Sequence, residues 1–399
     1  MAALAKIDRT DILVGRDVIA AVGHSLSMPP GVRVIEAGGR IVLPGFVDCH
    51  THACRVGDRL DEWALLLAGA PYEAIAGGGG GILSTVRAVR AAPQDALADA
   101  LSARLALMLR EGTTTVEVKS GYGLSTDDEL KMLRAIAQAA DEFQGTVVPT
   151  ALIGHAIDPA DPGFVRRTIV ETLPAVTKEF PGITIDLYCE RGAWSVEDSL
   201  SLIDHAREAG HPVRVHVDQF NALGLLPQAL VRGVRSADHL EASTPEDLAR
   251  LAASDTIGVL LPCTGFHLDV RLRDHADSSN PCIPRYADAR AIIDAGGAVA
   301  LATNDNPGTS PCPSMPMAIA LGVRKLGLSP AEAIVASTVN AAAVLGLGDR
   351  GTIVPGQRAD LVLLRHRDER ELAFEFGGNP VDAVICGGEV VSGTRPRLR

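Results

Sequence analysis

Ile41-Val42-Leu43-Pro44-Gly45-Phe46-Val47-Asp48-Cys49-His50-Thr51-His52 is an apolar run that closes on two imidazoles separated by one residue. On an extended segment such residues point to the same side, so both rings can reach one metal ion. The position matters as much as the spacing. The pair falls at the C-terminal end of an expected β-strand, and other histidine, carboxylate and carboxamide signals along the chain fall at strand ends too.

Working outward, β-branched-rich runs recur at Phe46 to Asp48, Thr113 to Val118, Thr146 to Ile153, Thr184 to Tyr188, Val213 to Val217, Ser236 to His239, Ile257 to Leu261 and Ala298 to Thr303. These eight candidate strands alternate with Ala- and Leu-rich helical segments at Pro93 to Arg110, Ser125 to Glu142, Ser195 to Glu208, Thr244 to Ala253 and Arg285 to Ala295. Alternation of this kind predicts an α/β fold, a (β/α)8 TIM barrel, with a doubly wound open sheet as the second choice. The flanks read differently. Ile12-Leu13-Val14, Val32 to Ile35, Ala359 to Leu364 and Ala383 to Val391 form hairpin-like runs. Residues 1–40 and 352–399 are therefore expected to make one small β-sandwich domain from both termini, enclosing a hydrolase barrel at 41–351.

The chain has 399 residues, 47% of them hydrophobic, enough for a large core. Its formal net charge of −12 gives no electrostatic help toward nucleic acid or an anionic membrane. Seven cysteines without a CxxC pair read as reduced thiols. With no signal-like start and no long apolar run, the expectation is a cytoplasmic enzyme of small molecules. The Gly77 to Gly81 run lacks the GK[ST] ending of a P-loop. It is read as a loop over the site, with Ser84-Thr85-Val86 starting the next helix.

In such barrels chemistry sits where the strands end. The ends present His50 and His52, Lys119 and Tyr122, His155, Glu190, His216, His239, and Asn304-Asp305-Asn306. Lys119 and Glu190 are read as packing or salt-bridge groups. The fourth strand ends Tyr188-Cys189-Glu190, with no lysine to bridge a second ion, so one metal is expected rather than two.

Pro44 to His52, Gly57-Asp58-Arg59, Ala68 to Tyr72, Gly79 to Val86, Glu117 to Leu124, His216 to Gln219, Ser236 to Glu241 and Asn306 to Ser310 together carry a resemblance. From about Ile41 to Val391 the chain resembles the amidohydrolase superfamily and, within it, the imidazolonepropionase family. The HxH opening marks only the superfamily; the Gly-Gly-Gly-Ile-x-Ser-Thr-Val and Lys-Ser-Gly-Tyr-Gly segments are more specific. The resemblance implies hydrolysis of a cyclic-amide C–N bond, 4-imidazolone-5-propanoate giving N-formimidoyl-L-glutamate in histidine degradation. It implies one divalent metal, Zn or Fe, held by His50, His52, His216 and the residue at 304. By position it implies that Arg59, Tyr72 and Tyr122 grip the substrate. His155, Gln219 and His239 would face the ring, His239 and Gln219 as catalytic groups, and Asn306, Gly308 and Thr309 would line the carboxylate. A homodimer is the default assembly.

Two departures stand out. The family's eighth-strand pattern reads Thr-Asp-x-Asn-Pro-Gly, whereas this chain reads Thr303-Asn304-Asp305-Asn306-Pro307-Gly308. A carboxamide offers a metal one neutral oxygen but takes no proton. Three readings compete: Asn304 is an introduced near-isostere of the acid, which is preferred; Asp305 turns inward; or the chain is a natural relative with altered chemistry. Second, His267 to Pro284 is long for its place, and His52-Ala53-Cys54-Arg55-Val56 lacks the usual apolar residues before Gly-Asp-Arg. The alternatives are therefore an amidohydrolase or deaminase of a related imidazolone or hydantoin-like ring, and a disabled binding homologue.

Overall fold

A computed structural model describes residues 1, 3–68, 80–269, 286–393 and 397–398. Tyr72 and most of the long loop at 267–284 lie outside the described residues.

Eight parallel strands form one sheet in chain order: Phe46–Asp48, Thr113–Lys119, Thr146–Gly154, Thr184–Cys189, Val213–Val217, Ser236–His239, Ile257–Leu260 and Val299–Leu301. The second strand is buried at every position despite its three threonines, one glutamate and one lysine. That is the expected state of a parallel strand covered on both faces. The first and eighth strands meet just past their ends, where Asn304 N–H donates to the His50 carbonyl (3.0 Å) and His52 N–H to the Asp305 carbonyl (3.0 Å). The sheet therefore closes into a barrel, and the open doubly wound alternative falls away. The same two bonds place Asn304 directly beside the HxH segment.

Four of the anticipated helices are capped where the sequence indicated. Gln94–Arg110 starts after Pro93, and Thr126–Glu142, Val196–Glu208 and Pro245–Ala252 follow Ser125, Ser195 and Thr244, whose hydroxyls accept from the backbone N–H three residues on. The helix anticipated from Arg285 is Ala289–Asp294, capped by Asp288. Ser84 does not start a helix. Gly81, at φ +67°, caps Ile82–Ala91, while the Ser84 hydroxyl donates to Glu62 (2.7 Å).

The small domain draws on both ends of the chain. Glu389–Gly393, Val381–Cys386, Leu361–Leu364 and Val42–Pro44 make a four-stranded antiparallel sheet. Its tight turn uses Gly387 and Gly388, both at positive φ, as a two-residue hairpin loop requires. The hairpin Asp11–Gly15/Val18–Gly23 packs against it through Ile12, Val14 and Ile19. Val32 to Ile35 does not belong to an N-terminal hairpin: Arg33–Val34 pairs instead with Arg397–Leu398.

Candidate metal centre

His50, His52, Tyr122, His155, Tyr188, His216 and His239 come from the ends of the first six strands, and their rings gather in one cluster. Centroids lie 4.5 Å apart for His50 and His216, 5.0 Å for His52 and His155, 5.6 Å for His216 and His239, and 5.2 Å for Tyr122 and His155. Ring nitrogens of His50, His216 and His239 all fall within 4.8 Å of one another, a grouping able to hold one metal ion. His239, anticipated beside the substrate ring, thus also stands within ligand range.

Two imidazoles are aimed by buried carboxylates. His50 Nδ1 donates to Asp238 (2.6 Å) and His216 Nδ1 to Asp186 (3.1 Å), which leaves each Nε2 lone pair facing the centre. His155 Nδ1 donates to the Gly121 carbonyl (2.9 Å) and turns its other nitrogen inward by the same logic. Beneath the rings, Lys119 bridges Glu117 and Asp186, and Arg214 bridges Glu117 and Asp238. Three carboxylates against two cations leave one formal negative charge under neutral rings, and a cation above them answers it. The structural reading of Lys119 holds. So does that of Glu190, whose oxygens accept from Arg191, Phe220 and Asn221 and clamp a loop.

The donor set fits a metal on three further counts. His216 Nε2 and His52 Nε2 lie 3.4 Å apart, the separation that two metal–nitrogen bonds of about 2.0–2.1 Å span at a tetrahedral angle. His50 Nε2 and Asn304 Oδ1 are buried without a partner, a costly state unless something is bound. Asn304 Nδ2 donates to Thr264 Oγ1 (2.9 Å), so the carboxamide turns its oxygen, not its nitrogen, to the unpartnered side. Strand-end strain clusters here as well: Asp218, His239, Leu240 and Asn304 have φ of +55°, +87°, +74° and +54°. Non-glycine residues hold such angles at a cost of about 1–3 kcal/mol each, characteristically at functional sites.

Burial drives His50, His52 and His216 below the ordinary imidazole range, the first two helped by neighbouring positive groups, and lowers His155 to about 3. At neutral pH all four are uncharged, as ligands must be. In metal-stripped protein the unfolded chain takes up protons below about pH 6.5 that these native rings refuse, so stability falls as pH drops through that value. Asp48, pushed by burial up to about 7, Asp218, at about 6, and Glu129, also raised, act in the opposite sense but are outnumbered. The urea midpoint of stripped protein should be lower at pH 5.5 than at pH 7.5; an equal or higher midpoint would contradict this balance.

Asp305 does not turn inward. Arg55 Nη1 and Nη2 reach its two oxygens at 2.9 and 3.1 Å, and both residues are buried. Arg55, in the segment that departs from the family pattern, and Asp305, beside the departure at 304, therefore form one ion pair. Replacing Arg55 alone (Arg55→Met) should lower the unfolding free energy by about 3–5 kcal/mol, because it strands a buried carboxylate. Arg55→Met with Asp305→Leu should recover most of that loss. Equal losses in the single and double variants, measured by urea unfolding, would reject the pairing as the source.

The remaining anticipated groups fall into two sets. Arg59, with a side chain only 7% exposed, donates through Nε to Thr85 (3.1 Å) and lies 3.7 Å from Glu62. A Cβ on Gly308 would stand 2.6 Å from its guanidinium, so a side chain there would push the Arg59 head group aside. Gln219 accepts from the Tyr188 hydroxyl (2.9 Å) and so touches the cluster through Tyr188. Asn306 instead shapes the loop: its Oδ1 accepts from Gly308 and Thr309 N–H, and its Nδ2 donates to the Asn304 carbonyl. Asp186, Asp238 and Thr264 escaped sequence reasoning. For Asp186 the available signal was a charged residue inside the largely apolar strand Thr184–Cys189; for Asp238 it was a carboxylate next to His239 at a strand end.

A closed barrel with convergent, carboxylate-anchored imidazoles at the C-terminal ends of its strands defines a metal-dependent hydrolase of the amidohydrolase class. Residues 41–391 match the model of the amidohydrolase family. The chain belongs to that superfamily and, within it, to the imidazolonepropionase family. It is 44% identical to an imidazolonepropionase from Herpetosiphon aurantiacus, over 98% of this chain and 92% of that protein. It is 43% identical to one from Deinococcus radiodurans, over 96% and 92%. Among solved structures it is similar in fold to 5-methylcytosine deaminase from Klebsiella pneumoniae liganded with 5-fluorocytosine, with TM-score 0.78 and 18% identity over 98% of this chain and 95% of that one. No helix among the described residues is long and apolar enough to cross a membrane.

Proposed function

We propose that the protein hydrolyses the ring C–N bond of 4-imidazolone-5-propanoate, releasing N-formimidoyl-L-glutamate. The observation that carries this reading is the convergence of His50, His52, His155, His216 and His239 at one barrel mouth, with the Arg59 guanidinium held against Gly308 of the eighth-strand loop. His50, His52 and His216 would hold a single Zn or Fe ion, with Asn304 Oδ1 beside them. When bound, that ion supplies Lewis acidity that makes water nucleophilic at neutral pH and polarises the attacked carbonyl.

The chain's own residues do the rest. Arg59 offers the propionate tail a planar two-pronged grip, with Tyr122 alongside. His155, its Nδ1 tied to Gly121, presents Nε2 to the ring. His239 donates to the oxygen on which charge develops and passes a proton to the departing ring nitrogen. Asn304 accepts a hydrogen bond but no proton, so the proton acceptor that the family pattern places at 304 is missing here. That single substitution favours a second reading, a homologue that binds the substrate with little turnover.

Substrate recognition is testable apart from chemistry. Arg59→Ala should weaken binding of a propionate-bearing ring by about 1.5–3 kcal/mol, the value of a charged hydrogen bond, and leave binding of an imidazolone without the side chain unchanged. Calorimetric titration of both ligands decides it; equal weakening for the two would remove Arg59 from the tail site.

A further inference from the structure

The face of the barrel opposite the histidine cluster carries a cavity of about 410 Å³, within the size range of small-ligand pockets. It lies where the third to sixth strands begin. Val148 and Pro149 come from the third strand, Phe180 from the chain leading into the fourth, Pro212 from just before the fifth and Arg235 from just before the sixth, while Leu345 and Gly346 follow the short helix Val339–Val344. The backbone of Arg235 is fixed in the sheet: its N–H donates to the Val213 carbonyl (2.8 Å), and its carbonyl accepts from Ile257 N–H (3.3 Å). Its guanidinium lies against Gly346, where a Cβ would stand 3.1 Å from Nη1.

Arg235 is half-buried, and among the described residues its side chain meets neither a carboxylate nor a hydrogen-bond acceptor. Burial and the nearby Arg214 charge both press against its own charge, a state that an arriving anion relieves. Other enclosed arginines are answered from within the chain. Arg55 faces Asp305, Arg214 faces Asp238 and Arg350 faces Asp349, and Arg104 donates to the carbonyls of Ala53, Arg55 and Ala100.

We propose that this cavity is a second binding site, for a small organic monocarboxylate with an apolar body. The Arg235 guanidinium takes the carboxylate, and Val148, Phe180, Pro212 and Leu345 cover the apolar body. One unanswered cation matches one negative charge, and the chain's net charge of −12 works against a multiply charged anion. The site is separate from the catalytic mouth, because the strands that begin at the cavity present His155, His216 and His239 at their other ends.

The test titrates benzoate into the full chain by calorimetry, with benzamide and inorganic phosphate as comparison ligands. Benzoate should bind saturably at one site. Binding should be at least about tenfold weaker for benzamide, for phosphate, and for benzoate with Arg235→Gln, the worth of a charged hydrogen bond. Arg59→Ala, altered at the opposite face, should bind benzoate as the unaltered chain does. 4-Azidobenzoate, photolysed on the unaltered chain and mapped by peptide mass spectrometry, should label the peptides that carry Phe180 and Leu345. No benzoate binding, equal affinity for benzamide or phosphate, unchanged affinity in Arg235→Gln, loss of binding in Arg59→Ala, or labelling confined to the catalytic mouth overturns the proposal. The photolabel decides it even if Arg235→Gln fails to fold.

Discussion

Asn304→Asp is expected to raise turnover of 4-imidazolone-5-propanoate by about 10²–10⁴-fold, the usual contribution of a positioned general base. The site is prepared for the change. Position 304 has φ +54°, which Asn and Asp both tolerate, and the two side chains are nearly isosteric. Thr264 Oγ1 now accepts from Asn304 Nδ2; turned about its C–O bond, the same hydroxyl donates to a carboxylate. The second oxygen would occupy the place of the buried Oδ1 that has no partner, and would add both a charge for the metal and an acceptor for a proton. Steady-state rates for the two proteins at matched metal content measure the effect. A gain confined to kcat marks Asn304 as a disabled base. No gain, with metal and substrate both bound, would favour the binding homologue. Full activity with Asn304 in place would move the proton acceptor to His239.

Removing the metal should have the other large effect. Its electrostatic contribution amounts to several kcal/mol, and each 1.36 kcal/mol is tenfold in rate, so chelation should cost the Asn304→Asp variant at least about a thousandfold. His216→Ala should fail to recover that activity when Zn or Fe is returned. Asp238→Asn is the finer probe, because it leaves every ligand in place. It removes the carboxylate that accepts from His50 Nδ1, and loss of such a partner costs about 10–100-fold in metal affinity. Competition with a chromogenic chelator reads that affinity directly, without turnover. An unchanged affinity in Asp238→Asn would show that ring packing alone orients His50.

The local sequence was enough for the barrel and for the positions of most site histidines. Buried parallel strands write themselves as short β-branched runs, helices as capped Ala- and Leu-rich segments, and an i, i+2 pair of imidazoles keeps its meaning on any extended chain. It was also enough to mark residue 304 as out of pattern. Three assignments needed the fold: Arg55 with Asp305, His50 with Asp238, and Asn304 with Thr264. Each joins positions tens to hundreds of residues apart. No periodicity links such partners, since only closure of the barrel brings the strand ends onto one face. The reading of Asn306 moved for the same reason: its amide is spent on the turn that carries Gly308 to Arg59. Sequence named the groups able to do chemistry, and tertiary structure decided which of them hold one another in place, because hydrogen bonds and charge pairs depend on distances that only the folded chain sets.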